Sequence, residues 1–170
     1  MKIVLLGYMG CGKSTIGKYL AKKLYLPFID LDDYIEEKEK LPIKAIFKTK
    51  GEIYFRKIEH TYLKDILEQK KKFVLSLGGG TPCYANNIDL IANCTIPFYL
   101  QANIKTLKER LISRKKRRPL IANLSDKNIS EFIAKHIFER KPYYEKAPHK
   151  IIVDKKSISQ IATEIRILLH

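Results

Sequence analysis

Residues 7 to 14 read Gly-Tyr-Met-Gly-Cys-Gly-Lys-Ser and fit the spacing G-x-x-x-x-G-K-[ST]. Glycines at these intervals let main-chain N–H groups turn inward around phosphate oxygens, with the positive end of a following helix behind them. In such a loop Lys13 would reach the β- and γ-phosphates, and the Ser14 hydroxyl would ligate Mg²⁺. Gly10, Cys11, Gly12, Lys13, Ser14 and Thr15 are therefore the candidates for nucleotide contact. Cys11 reads as a small filler side chain rather than a reactive thiol.

Two aspartates, Asp30 and Asp32, flank Leu31 after an apolar stretch. In an extended segment they would point the same way. Beside a magnesium–nucleotide complex one could hold the metal, and the other could take a proton from a substrate hydroxyl. Asp33 reads instead as a helix cap. The run Gly78-Gly79-Gly80 is entropically costly and makes sense where a ligand needs backbone at close range. Arg56 lies at the edge of an apolar helical stripe (Phe55, Ile58, Tyr62, Ile66), with Glu52 four residues before it and Glu59 three after to direct its guanidinium. Arg140 continues the stripe of Ile129, Phe132, Ile133, His136 and Ile137. An inward arginine is costly unless an anion meets it, and its planar fork matches a carboxylate. The alternative for either is a snorkelling side chain with its head in water. His136 reads as a packed, hydrogen-bonded histidine. The cationic run Arg114 to Arg118, followed by Pro119, reads as a flap that could bring an arginine to a transferring phosphate; the alternative is a solvated basic loop. Arg118, beside the stiffening proline, is preferred to Arg117.

These residues need a scaffold. Apolar runs at residues 2–6, 27–30, 73–77, 95–100 and 151–153 alternate with helical patterns, which predicts an α/β fold with a five-stranded parallel sheet covered on both faces. Ligands bind at the carboxyl ends of the strands in such sheets, where the candidates above fall. Asn128 with Glu131, and Ser157 with Gln160, carry helix-start signatures. The last helix would dock through Ile158, Ile161, Ala162, Ile165, Leu168 and Leu169. At 170 residues, 45% hydrophobic and 30% charged, the chain suits one globular domain over residues 1–170. The first apolar run is too short for a signal peptide and no run approaches a membrane span, so a cytoplasmic protein without membrane contact is expected. Three scattered cysteines suit a reducing compartment. The net charge of +15 lacks the interleaved aromatics of single-strand binders, so small anionic substrates rather than nucleic acid are expected.

The ordered set of Gly-Tyr-Met-Gly-Cys-Gly-Lys-Ser-Thr, Asp30-Leu31-Asp32, Phe55-Arg56-Lys57-Ile58-Glu59, Leu77-Gly78-Gly79-Gly80, Arg117-Arg118-Pro119-Leu120 and Arg140-Lys141-Pro142-Tyr143-Tyr144 resembles the shikimate kinase family nearly end to end. The resemblance implies a three-layer P-loop kinase fold with a mobile lid at residues 112–124 and a substrate-binding subdomain at 32–60. It implies a monomer that transfers the γ-phosphoryl of ATP, with Mg²⁺, to the 3-hydroxyl of shikimate. It assigns Arg56 and Arg140 to the shikimate carboxylate, Asp32 to its hydroxyls as proton acceptor, and Gly78, Gly79 and Gly80 to its ring. Glu59 would orient Arg56. Ser14 and Asp30 would hold the metal, Lys13 and Arg118 the transferring phosphate, and Arg110 would pack over adenine. The competing readings are a kinase for another small hydroxy acid such as gluconate, or a GTP-binding or RNA-associated P-loop module. The guanine-reading Asn-Lys-x-Asp tetrapeptide does not occur.

Overall fold

The computed structural model describes residues 1–113 and 125–169. Five parallel strands, β1 (Lys2–Leu6), β2 (Phe28–Asp30), β3 (Phe73–Ser76), β4 (Ile96–Gln101) and β5 (His149–Ile152), form one sheet in the order β2-β3-β1-β4-β5. Helices α1 (Lys13–Leu24), α2 (Leu31–Glu39), α3 (Ile43–Glu68), α4 (Asn87–Cys94), α5 (Ile104–Ile112), α6 (Asp126–Tyr144) and α7 (Ile158–Leu168) make the connections. The expected α/β class and all-parallel five-stranded sheet are observed. Ile3 to Leu6 of β1 and Phe73 to Ser76 of β3 are buried residue after residue, without alternation. That pattern requires cover on both faces of the sheet, and it is why these strands read as unbroken apolar runs.

The strand order decides where the site lies. From β1 the chain passes through α1 to the edge strand β2, returns to insert β3 beside β1, and then crosses to build β4 and β5 on the other side. Register sets Leu5 opposite Ser76, and Asp30 opposite the same Ser76. The carboxyl ends of β1, β2 and β3 thus lie abreast, and the segments leaving them converge on one crevice. β5 is the other edge, and the Asp154 carboxylate beyond it accepts the Asn103 backbone N–H, which ties the loop ends together.

Several local expectations change. Asp30 and Asp32 do not share an extended segment: the strand stops at Asp30 and Asp32 is in the first turn of α2. The cap of α2 is Asp30, whose Oδ1 accepts the Asp32 N–H at 3.1 Å, and not Asp33. A short polar side chain in extended conformation before the turn outcompetes one already inside it. The cap of α6 is Ser125, accepting from the Asn128 N–H at 3.3 Å, so Asn128 is the donor of that cap and not its acceptor. Ile112 ends α5, and Arg117, Arg118 and residues 114–124 of the expected lid lie outside the described residues. In α3, Gly51 interrupts the helix with φ 81° and ψ 172°, which separates the stretch bearing Ile46 from the stretch bearing Arg56.

Helix α7 follows expectation at its start. The Ser157 hydroxyl accepts the Gln160 N–H and the Gln160 side chain accepts the Ser157 N–H, a complete capping box. Ile161, Ala162 and Ile165 are buried, while Ile158 and Leu168 stay partly exposed. Ser157→Ala is expected to cost about 1 kcal/mol and lower the melting temperature by about 2–4 °C in a circular-dichroism melt. An unchanged melting temperature would mean that the box contributes nothing to docking α7.

Candidate active site

The phosphate loop joins β1 to α1. Gly7 has φ 139°, and a Cβ there would lie 2.5 Å from the Leu100 carbonyl oxygen of the adjacent strand; Gly12, at the N-cap of α1, has φ 104°. Neither position accepts a side chain without strain. Lys13 is buried, and its Nζ donates to the carbonyls of Gly7 at 2.8 Å and Tyr8 at 3.0 Å. These bonds close the loop around the ammonium and set its charge in the floor of a cleft of about 380 Å³. Gly10, Cys11, Gly12, Lys13, Ser14 and Thr15 all line that cleft. The Cys11 side chain is fully buried under the loop, the filler role its size suggested.

Beside the start of α1, the Ser14 hydroxyl donates to Asp30 Oδ2 at 2.7 Å and lies 3.4 Å from the Ser76 hydroxyl. Asp30 thereby does two jobs, capping α2 with one oxygen and meeting Ser14 with the other. Among the described residues no group of three or more His, Cys, Asp or Glu side chains could hold a metal ion. A hard cation in this cleft would depend on one hydroxyl, one carboxylate, nucleotide oxygens and water. That donor set fits magnesium, which keeps several waters and takes few protein oxygens.

The other end of the cleft is built on the three consecutive glycines after β3. None of them has positive φ; what they supply is proximity. A Cβ on Gly78 would lie 3.1 Å from Asp32 Oδ1 and 3.4 Å from Glu59 Oε1. One on Gly79 would lie 3.4 Å from Arg140 Nη1 and 3.3 Å from the Met9 amide nitrogen of the phosphate loop. One on Gly80 would lie 3.0 Å from Arg56 Nη2. The two arginines and two carboxylates from three different helices thus gather on backbone that carries no side chains. Arg56 Nη1 donates to the buried Glu59 at 2.9 Å, and its Nε and Nη2 reach the exposed Glu52 at 3.4 and 3.3 Å. Burial opposes the Arg56 charge, but the Glu59 carboxylate, joined by Tyr84 and Glu52, holds the pKa above the ordinary arginine value. Tyr144, four residues after Arg140 on α6, is buried and donates its hydroxyl to the Gly79 carbonyl. That bond anchors the helix that carries Arg140 to the glycine loop.

Asp32 lines the cleft between these groups. Burial first, then the neighbouring Asp30 and Glu59 carboxylates, push its pKa up to about 7 against the opposing pull of Lys13. A carboxyl poised near neutrality can gain and lose a proton at working pH.

Residues that local sequence patterns did not flag complete the site. Ser76 is the last residue of a buried strand, and only the register of three strands brings its hydroxyl to Ser14. Tyr8 in the phosphate loop meets His136 Nδ1 at 3.1 Å, and its ring lies under Arg140 with 5.7 Å from ring centroid to guanidinium carbon. Burial, followed by the Arg140 charge, holds His136 below the usual histidine pKa. At the far end Arg110 donates to the carbonyls of Gly10 and Cys11 at 3.3 and 3.2 Å. Beside it Ser113, Lys156, Ile158 and Ile161 complete the lining. The Ser157 capping box was the available signal for this last group, since it fixes where the first turn of α7 begins.

A family model described as shikimate kinase matches residues 9–170. A shikimate kinase of Flavobacterium johnsoniae is 51% identical over 165 residues, covering 96% of this chain and 96% of that one. One of Flavobacterium psychrophilum is 47% identical, covering 99% of this chain and 98% of that one. Among solved structures, shikimate kinase from Bacteroides thetaiotaomicron matches with a TM-score of 0.93 at 34% identity, covering 99% of this chain and 98% of that one. Shikimate kinase from Acinetobacter baumannii, solved in complex with shikimate, matches with a TM-score of 0.89 at 32% identity, covering 99% and 92%. Matched along almost its whole length by the family model and by relatives 51% and 47% identical, the chain belongs to the shikimate kinase family.

Proposed function

We propose that the protein transfers the γ-phosphoryl group of ATP to the 3-hydroxyl of shikimate, releasing ADP and shikimate 3-phosphate. The observation that carries this reading is the convergence of Arg56 and Arg140 on the glycine loop, next to Asp32, which shares a cleft with Lys13. An acceptor with a carboxylate at one end and hydroxyls along a ring meets all four groups at once. The two guanidinium forks take the carboxylate. Asp32 accepts hydrogen bonds from ring hydroxyls and takes the proton of the attacking one as the new O–P bond forms. The bond from the γ-phosphorus to the bridging oxygen breaks, and ADP leaves with that oxygen. Lys13 places positive charge where negative charge gathers on the moving group.

Magnesium is the cation this site suits, held by Ser14 with Asp30. When bound it would neutralise charge on the β- and γ-phosphate oxygens. Residues 32–60 act as the acceptor-binding part of one domain spanning residues 1–170, and Arg118 remains the proposed lid arginine. We expect a monomer working in the cytoplasm; among the described residues no helix is long and apolar enough to cross a membrane.

A coupled ADP-release assay tests the reading: turnover with shikimate and none with gluconate is expected, and the opposite pattern would transfer the proposal to a gluconate-type kinase. Lys13→Ala should lower kcat by about 10²–10³-fold with the circular-dichroism spectrum unchanged. Arg140→Ala should raise the KM for shikimate at least about 30-fold, equivalent to about 2 kcal/mol, while the KM for ATP stays within about twofold. An unaltered shikimate KM would remove Arg140 from the acceptor pocket.

The raised pKa of Asp32 makes two linked predictions. Since the unprotonated carboxylate takes the proton, kcat should rise with pH through about 7 and then level off. Folding holds a proton on Asp32 between about pH 4 and 7 that the unfolded chain has released, so its contribution to stability is present below that window and lost as pH rises through about 7. Asp32→Asn should therefore raise the melting temperature at pH 8 by a few degrees, raise it less at pH 5, and abolish most turnover. A lower melting temperature for that variant at pH 8 would contradict the assignment of an unfavourable charge at this position.

A further inference from the structure

Among the described residues the buried polar or charged side chains are Lys13, Glu59, Ser76, Thr81 and Asn87. Lys13 and Ser76 line the cleft. The other three form a single hydrogen-bonded chain behind the acceptor end. Thr81 Oγ1 donates to Glu59 Oε1 at 2.6 Å, and the Asn87 amide donates to the Thr81 carbonyl at 2.9 Å. Asn87 Oδ1 lies 2.6 Å from His60 Nδ1. With the Asn87 nitrogen committed to Thr81, its oxygen is the acceptor and His60 Nδ1 carries the proton. The other oxygen of Glu59 receives Arg56 at 2.9 Å.

Buried groups of this kind are tolerated only when each has a partner, and a fully satisfied network holds its members in one arrangement. The outer contacts of Arg56 hold it weakly: Glu52 is exposed, where an ion pair contributes little, and the Tyr84 ring stacks at 4.0 Å without restraining in-plane rotation. Glu59 is the firm anchor, and a carboxylate fixed by one oxygen alone can still pivot. Thr81 removes that freedom. It is also the residue directly after Gly80, so the side chain that steadies Glu59 is covalently joined to the backbone against which Arg56 lies.

We propose that Thr81 and Asn87 are positioning residues of the acceptor site: Asn87 holds Thr81, Thr81 holds one oxygen of Glu59, and the other oxygen aims Arg56 at the carboxylate of the acceptor. This rests on the function proposed above. Thr81→Val keeps the shape and deletes the donor; Thr81→Ser keeps the donor. Thr81→Val is expected to raise the KM for shikimate about tenfold, with kcat and the KM for ATP within about twofold. Thr81→Ser should stay within about twofold of the parent in all three. In an Arg56→Ala background, Thr81→Val should have no further effect on the shikimate KM, because the residue it acts through is gone. Should Thr81→Val fail to fold, Thr81→Cys, a weaker donor of similar volume, serves in its place and should raise that KM at least threefold. A shikimate KM within twofold of the parent in the folded variant, or the same rise with and without Arg56, would overturn the proposal. Absence of shikimate turnover by the parent protein would instead overturn the function itself.

Discussion

The site depends on one spatial constraint: three consecutive residues without side chains must lie against its charged groups, with Gly79 also against the phosphate loop. Arg56, Arg140, Asp32 and Glu59 come within 3.0–3.4 Å of the positions where Cβ atoms would stand on Gly78, Gly79 and Gly80. Their charges could not otherwise share so small a volume, because each needs a hydrogen-bond partner or an opposite charge at close range. The parallel pairing of β1 with β3, with Leu5 opposite Ser76, brings that backbone beside the loop carrying Lys13. Sheet register therefore sets the distance between the phosphate donor and its acceptor.

The same crowding explains the proton chemistry. Three carboxylates close to one another, even with Lys13, Arg56 and Arg140 nearby, cannot all ionise without cost. The strain falls on Asp32, since Glu59 is matched to Arg56 and Thr81, and Asp30 to Ser14 and the first turn of α2. Of the three, Asp32 is the one whose charge is least compensated, and with Asp30 it lines the cleft. A cost in stability and a capacity to accept a proton thus have a single origin.

How much of this was legible in the sequence depended on whether the information was local. The phosphate loop was readable because eight residues contain its whole geometry. Arg56 with Glu59 was readable because three residues along a helix is a fixed distance, and Arg140 because its phase follows Ile133 and Ile137. Asp30 and Asp32 were placed at the cleft by an argument about extended chains that the structure replaces with a cap and a helix turn. Ser76, Thr81, and the pair of Tyr8 with His136 were beyond reach. Their partners lie 62, 22 and 128 residues away, and only strand order and helix packing bring them together. Arg118 stands on the motif alone, since residues 114–124 lie outside the described residues.

The most direct test of the central claim is a calorimetric titration of shikimate into Gly80→Ala, beside a titration of a non-hydrolysable ATP analogue into the same protein. A methyl group there would lie 3.0 Å from the Arg56 guanidinium and push it out of place. The account predicts shikimate binding weakened at least about tenfold with nucleotide binding preserved. Parent-like shikimate affinity in that variant would contradict it.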